Sequence, residues 1–445
     1  MTKTHTLNCG FSLSISGRAT PDIVTASQPE HVALMPGWLF HVKPRLLVKE
    51  GESVKLGTPL FEDKRNPFVV YPSPGGGVVE RISYGPRRRV DEVVICLDKE
   101  EACESFASIP SEALAKTDPD TLRHMLIKGG AWPFLRNLPF RDHPDVASKP
   151  AHIIVTLGWA GGYEARADLA LHGKEEAFFD GLTILSRFSS SVRVITPENT
   201  GNLPPAIEGR VDARIKGGYP AGDPGHYLYC IRKIPEENQS WFIEAQDLVA
   251  LARFVTTGCH DTRRVFAVGG SAAKKSHHVV SRLGAPVSVL DGGKGHRRYL
   301  GGTPFSGGFL PPSGFMNFFH KGLTLLEVGA EEDAFGFLRA GYTRPSLSRT
   351  FLSVFNKKPF DFDCGMHGEE RPCINCNRCA DVCPVKIYPQ FTLKCMGAGE
   401  VEEALAHGLL DCIECGLCAY VCPSKIELLD ILKSAKAQYR KERDG

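Results

Sequence analysis

One spacing of cysteines occurs twice in the chain, and it restricts the fold more than any other feature. Cys373, Cys376, Cys379 and Cys383 precede Pro384, and Cys412, Cys415, Cys418 and Cys422 precede Pro423, each as C-x2-C-x2-C-x3-C-P. Three cysteines at two-residue intervals let one tight loop wrap three irons of a cube, while the fourth, beyond the turn, reaches the neighbouring cube. Cys373, Cys376, Cys379 and Cys422 are therefore expected to ligate one [4Fe–4S] cluster, and Cys412, Cys415, Cys418 and Cys383 a second. That exchange forces the two motifs to pack side by side. Zinc prefers two C-x2-C pairs, and disulfides are disfavoured in a reducing cytosol. The runs Glu400 to Leu410 and Ile426 to Tyr439 have helical spacing, so the clusters should sit among helices.

The other seven of the fifteen cysteines, Cys9, Cys96, Cys103, Cys230, Cys259, Cys364 and Cys395, lack a repeated spacing and read as buried small hydrophobes. At 445 residues the chain exceeds a single core, so a multidomain α+β protein is expected. A net charge of +2 gives no field strong enough to hold nucleic acid by counterion release. No run is long and apolar enough for a transmembrane helix, and Met1-Thr2-Lys3-Thr4-His5 opens no signal peptide. The chain is expected to be soluble and cytoplasmic, reaching a membrane only through partners.

Leu46 to Asp63, then Val69 to Pro72 and Gly75 to Val79, are short apolar strands punctuated by glycine and proline, which indicates a small β-barrel or sandwich. The run resembles the barrel-sandwich hybrid of lipoyl domains; Lys64 falls near the position of the modified lysine but reads as a solvated surface residue. From about Asp118 to Thr256, strand-like runs such as Ile153 to Leu157 and Val192 to Ile195 alternate with helical stretches such as Leu169 to Arg187, implying a Rossmann-like α/β layer. Ligands of such sheets bind beyond the carboxyl ends of strands, where Gly158 to Tyr163 stands either as a tight turn or as a ligand loop. Arg264 to Gly270, Leu283 to Val287 and Gly301 to Pro304 resemble the soluble-ligand-binding (SLBB) β-grasp module. The expected units are a barrel-sandwich hybrid at 1–104, an α/β domain at 105–260, a β-grasp domain at 261–312, a connector at 313–366 and a helical 2[4Fe-4S] ferredoxin-like domain at 367–445.

Taken together, Lys49 to Pro67, Tyr219 to Gly222 with Gly225-His226, Gln246 to Ala250 and the paired cysteine motifs resemble a family shared by two membrane redox pumps. Its members are the NqrA component of the sodium-translocating NADH:quinone reductase (Nqr) and the RnfC component of the Rnf electron-transport complex. The first phrases point to Nqr; Asp411 to Pro423 and the eight cysteines point to Rnf. The resemblance implies an oxidoreductase subunit that conducts electrons in a membrane complex coupled to sodium transport. It also implies NADH or quinone as reactants, other subunits as partners and a peripheral place on the inner face of the cell membrane. No side-chain acid or base is required for cluster chemistry, so no catalytic residue is assigned. An Rnf-type electron-input subunit would add FMN. At the place of its glycine-rich flavin loop this chain has Gly129-Gly130-Ala131-Trp132-Pro133, where Trp132 occupies space a flat ring would need. A third reading is a ferredoxin-like partner of a soluble reductase.

Overall fold

The structure, a computed structural model, describes residues 2–10, 14–291, 297–329, 341–343, 352–365 and 369–444. His31–Leu34, Val90–Leu97, Gly77–Tyr84 and Ser53–Val54 form one antiparallel sheet in that order, and Pro44–Leu46, Pro59–Asp63 and Asn66–Pro72 a second. Alternating side chains turn inward, so Val32, Val69, Tyr71, Val79, Val93 and Ile95 fill the space between the sheets. This is the barrel-sandwich hybrid, and Lys64 stands exposed in its turn between Asp63 and Asn66.

The α/β layer is a sheet in the order Lys3–Thr6, Ala213–Lys216, Val192–Pro197, Ile153–Thr156, Trp241–Glu244 and Arg136–Asn137, parallel except at the last strand. Ile153–Thr156 and Trp241–Glu244 are buried throughout, as continuous runs covered on both faces should be. Helices Glu175–Ser186 and Ala245–Thr257 cover one face, and they approach closely where Gly181 leaves room for Leu248. The stretch Leu169 to Arg187 is two helices, not one: Gly173, at φ +70°, breaks the chain between Ala167–Leu171 and Glu175–Ser186.

A third sheet runs Gly308–Leu310, Arg297–Gly301, Gly322–Glu327, Arg263–Gly269, His277–Arg282 and Ile23–Thr25. Its first and last long strands, Arg263–Gly269 and Gly322–Glu327, lie parallel at the centre with a hairpin on each side, the β-grasp order. The sheet therefore takes in one strand from beyond residue 312. Gly322–Glu327 is almost wholly buried and completes the sheet. Amino-terminal strands likewise pair in the two later sheets. Lys3 pairs with Ala213 in the α/β sheet, and Ile23 with His278 in the β-grasp sheet. Strand partners some two hundred residues apart leave no local signal in a sequence.

Part of the expected connector lies outside the described residues; within it, Phe360 bridges Ile15 and Asp363 bridges Glu327. The last unit is helical, with Arg378–Asp381, Pro389–Ala398, Val401–Ala406, Leu417–Tyr420 and Leu428–Asp444. Among the described residues no helix is long and apolar enough to cross a membrane.

Candidate metal centre

The two cysteine motifs adopt the same backbone. Asn375 and Glu414, each between the first two cysteines of its motif, both have φ near +57°; Asn377 and Gly416 follow at +66° and +79°, and Lys386 and Lys425 at +52° and +56°. These left-handed residues curl each loop so that its thiols turn inward. Gly416 has a further reason to be glycine, because a Cβ there would lie 2.0 Å from the Phe305 carbonyl oxygen. A one-turn helix follows each loop, then a longer one, Pro389–Ala398 after the first motif and Leu428–Asp444 after the second.

A cavity of about 370 Å³ is lined by Cys373, Cys376, Cys379 and Cys422, with Leu393 and Ile426 among its apolar walls. A second, of about 330 Å³, is lined by Cys412, Cys415, Cys418 and Cys383, with Val385 and Leu432. Each cavity takes three thiols from one motif and its fourth from the other. Among the described residues no three His, Cys, Asp or Glu side chains converge as they would on a single metal ion. The thiols surround a space instead, and four soft sulfur donors around an apolar cavity fit an iron–sulfur cube.

Burial pushes the Cys383 thiol up to about 12 and raises Cys412, Cys415 and Cys418; repulsion from neighbouring thiolates adds to it at Cys383, Cys415 and Cys418, and the Glu414 carboxylate adds to it at Cys412. Four thiolates in one such cavity need a cationic core to offset their charge. Backbone amides already favour the ionised sulfurs: Glu414 N–H points to Cys412, Leu417 N–H to Cys415 and Ala419 N–H to Cys418.

The two cavities differ in setting. Cys373 and Cys376 are exposed, and Ile374 between them is 67% exposed, so one site is outer. The other is inner, pressed against the α/β domain. Arg232 holds Asp411 at 2.8 Å, Arg440 holds Asp142 at 2.5 Å, and the Tyr219 hydroxyl donates to the Cys415 carbonyl at 2.9 Å. Arg141 donates to the Ile413 carbonyl at 2.9 Å and to Asp223 at 2.7 Å. Lys436, 1% exposed, donates to the carbonyls of Cys412 (3.0 Å) and Pro139 (2.8 Å) and to the Glu414 carboxylate (2.5 Å). Neither Arg141 nor Lys436 lies in a motif, and no spacing marks them in the sequence.

The two glycine loops are tied into the fold by hydrogen bonds. Gly158 to Tyr163 follows the central strand; Thr156 Oγ1 donates to Gly222 O (2.8 Å) and Ala160 N–H to Ala221 O (2.8 Å). In Gly129 to Pro133, Trp132 is fully buried edge-on against Trp241 and Phe188, and its Nε1–H donates to Pro144 O at 2.9 Å. The seven scattered cysteines are not the uniform buried set expected. Cys96 and Cys230 are exposed, and Cys103 and Cys259 form a disulfide. The two meet because the backbone after the barrel-sandwich runs beside the end of helix Ala245–Thr257, where Phe106 N–H donates to Gly258 O.

Residues 5–98 match the NqrA N-terminal barrel-sandwich hybrid domain, residues 117–260 the NqrA second alpha/beta domain, and residues 372–426 a 4Fe-4S dicluster domain. The NqrA component of the Na(+)-translocating NADH-quinone reductase of Pseudomonas aeruginosa is 33% identical over 410 residues, 90% of this chain and 91% of that one. The component of the same name from Klebsiella pneumoniae is 32% identical over 408 residues, with the same coverage of both chains. That from Actinobacillus pleuropneumoniae is 30% identical over 414 residues, 91% of this chain and 92% of that one. Among solved structures, an NAD+-reducing [NiFe]-hydrogenase in the H2-reduced state superposes with a TM-score of 0.36 at 15% identity, over 74% of this chain and 63% of that one.

Proposed function

The chain belongs to the NqrA family of the Na(+)-translocating NADH-quinone reductases, and from that premise we propose that it is the peripheral electron-transfer subunit of such a complex, carrying two [4Fe–4S] clusters. The observation that carries the reading is the pair of four-cysteine cavities. Cys373, Cys376, Cys379 and Cys422 would hold the outer cluster, and Cys412, Cys415, Cys418 and Cys383 the inner one. Such a cluster, when bound, supplies one-electron chemistry.

The chain's own residues do the rest. The thiolates bind, the loop amides favour their charge, and Val385, Ile387, Leu417 and Leu432 exclude water from the inner site. Sodium transport and the reactions of NADH and quinone belong to the assembled complex, which this chain would join on the cytoplasmic face through partner subunits. On this reading the units run 1–104, 105–260, 261–312, 313–366 and 367–445, with the amino-terminal strands and Gly322–Glu327 lent across those limits. Trp132, filling the loop where an Rnf-type subunit would take FMN, favours a flavin-free relay.

Iron, acid-labile sulfide and flavin measured together on anaerobically purified protein test this. About eight irons and eight sulfides without flavin support the relay. One flavin per chain favours the Rnf-type reading, and zinc or no iron overturns both.

A further inference from the structure

Arg141 sits in the α/β domain, in the loop that follows the edge strand Arg136–Asn137, and it is almost fully buried. Its backbone is left-handed, φ +60°, a conformation of about 1 kcal/mol strain or more for a residue with a Cβ. Backbone bonds hold it there: Arg141 N–H donates to Asn137 O at 2.7 Å, and Asn137 N–H donates to Asp142 O at 2.6 Å. The guanidinium is fixed by Asp223, whose carboxylate also caps helix Pro224–Ile231 through Gly225 N–H (2.8 Å) and His226 N–H (3.2 Å).

From that position Arg141 donates to the Ile413 carbonyl. The same peptide group carries Glu414 N–H, which is directed at the sulfur of Cys412. A donor on a peptide oxygen polarises the N–H on its other side, and this cooperation is strongest where water is absent. The chain guanidinium, Ile413–Glu414 peptide, Cys412 sulfur thus connects a buried cation of one domain to a thiol of the other. The outer motif has a different environment, since Ile374, the counterpart of Ile413, faces solvent.

We propose that Arg141 is a positioning residue that raises the reduction potential of the inner cluster by polarising the Ile413–Glu414 peptide. Reduction adds negative charge to the cluster, and hydrogen bonds to its sulfurs, together with nearby positive charge, favour the state that gains it. The α/β domain therefore does more than carry the cluster domain. It sets the two clusters apart in potential and so gives the relay a direction. The inference rests on the ligand sets assigned above.

The test is a redox titration of the intact, cluster-loaded chain, followed by electron paramagnetic resonance at low temperature. Ile374→Asp, a carboxylate beside the outer site, identifies which step belongs to the outer cluster. Arg141→Gln is expected to lower the potential of the inner step and leave the outer step in place. Arg141→Lys, which keeps the charge and the pairing with Asp223, is expected to restore most of the loss. Arg141→Gln with Asp223→Asn removes the pair without stranding a carboxylate and covers the case in which the single variant does not accumulate; it is expected to shift the same step downward by less. Two clusters whose potentials are unmoved in the variants, or that move equally, overturn the role of Arg141. A parent protein without two clusters overturns instead the assignment on which it rests.

Discussion

Lys436→Met removes a buried ammonium that has three partners at once: the carbonyls of Cys412 and Pro139 and the carboxylate of Glu414. Glu414 is held below its usual carboxylate range although burial alone would raise it, because Lys436 and Arg141 lie close. Methionine matches the lysine stem in length, so little packing is lost. The carboxylate, however, is left buried with its main partner gone, a change that costs about 3 to 5 kcal/mol. Taking 4 kcal/mol and an m-value of about 2 kcal/mol/M, the urea midpoint of the cluster domain falls by about 2 M. The assay is urea unfolding of the loaded protein under argon, read by far-ultraviolet circular dichroism and by cluster absorbance. Lys436→Met with Glu414→Gln removes the stranded charge and should recover more than half of the loss. A midpoint within about 0.3 M of the parent for the single variant would refute the reasoning, because it would mean that water or another cation replaces the ammonium.

His260 is buried, its Nε2 lies 2.7 Å from the Gly129 carbonyl, and burial lowers it from 6.5 to about 4. The unfolded chain therefore takes up a proton first as pH falls, and stability present above pH 6.5 is lost toward pH 4, by up to about 3 kcal/mol. The melting temperature should drop from pH 6.5 to 5, and His260→Gln should flatten that drop. Trp132→Ala empties the space between Trp241 and Phe188 and should cost about 3 to 5 kcal/mol without conferring flavin binding, as calorimetry and flavin fluorescence would show. Gly222→Ala places a Cβ 2.3 Å from the Gly158 carbonyl oxygen at φ +96°, and soluble yield should fall sharply.

What the sequence disclosed followed the range of the interactions. The cysteine motifs are short-range objects, so residue spacing alone brings out Cys373 to Cys383 and Cys412 to Cys422 as candidate ligands. Short strands with glycine and proline breaks made the barrel-sandwich legible, and alternation of strand and helix did the same for the α/β layer. Long-range pairings were not legible. Lys3–Thr6 finds its partner at Ala213–Lys216, and Gly322–Glu327 joins a sheet begun at Arg263, with nothing in either segment naming its neighbour. The disulfide of Cys103 and Cys259, 156 residues apart, was hidden for the same reason. Arg141 and Lys436 matter through the carbonyls they reach, and a carbonyl is present at every residue, so their role has no sequence signature.

The exchange of ligands between the motifs is tested most directly by counting iron in two double variants. Cys373→Ala with Cys422→Ala removes two ligands of one cavity, and about four irons and four sulfides should remain per chain. Cys373→Ala with Cys383→Ala removes one ligand from each cavity, and both clusters should be lost or strongly depleted. The reverse result, with four irons kept in the second variant and none in the first, would mean that each motif holds its own cluster and would contradict the account.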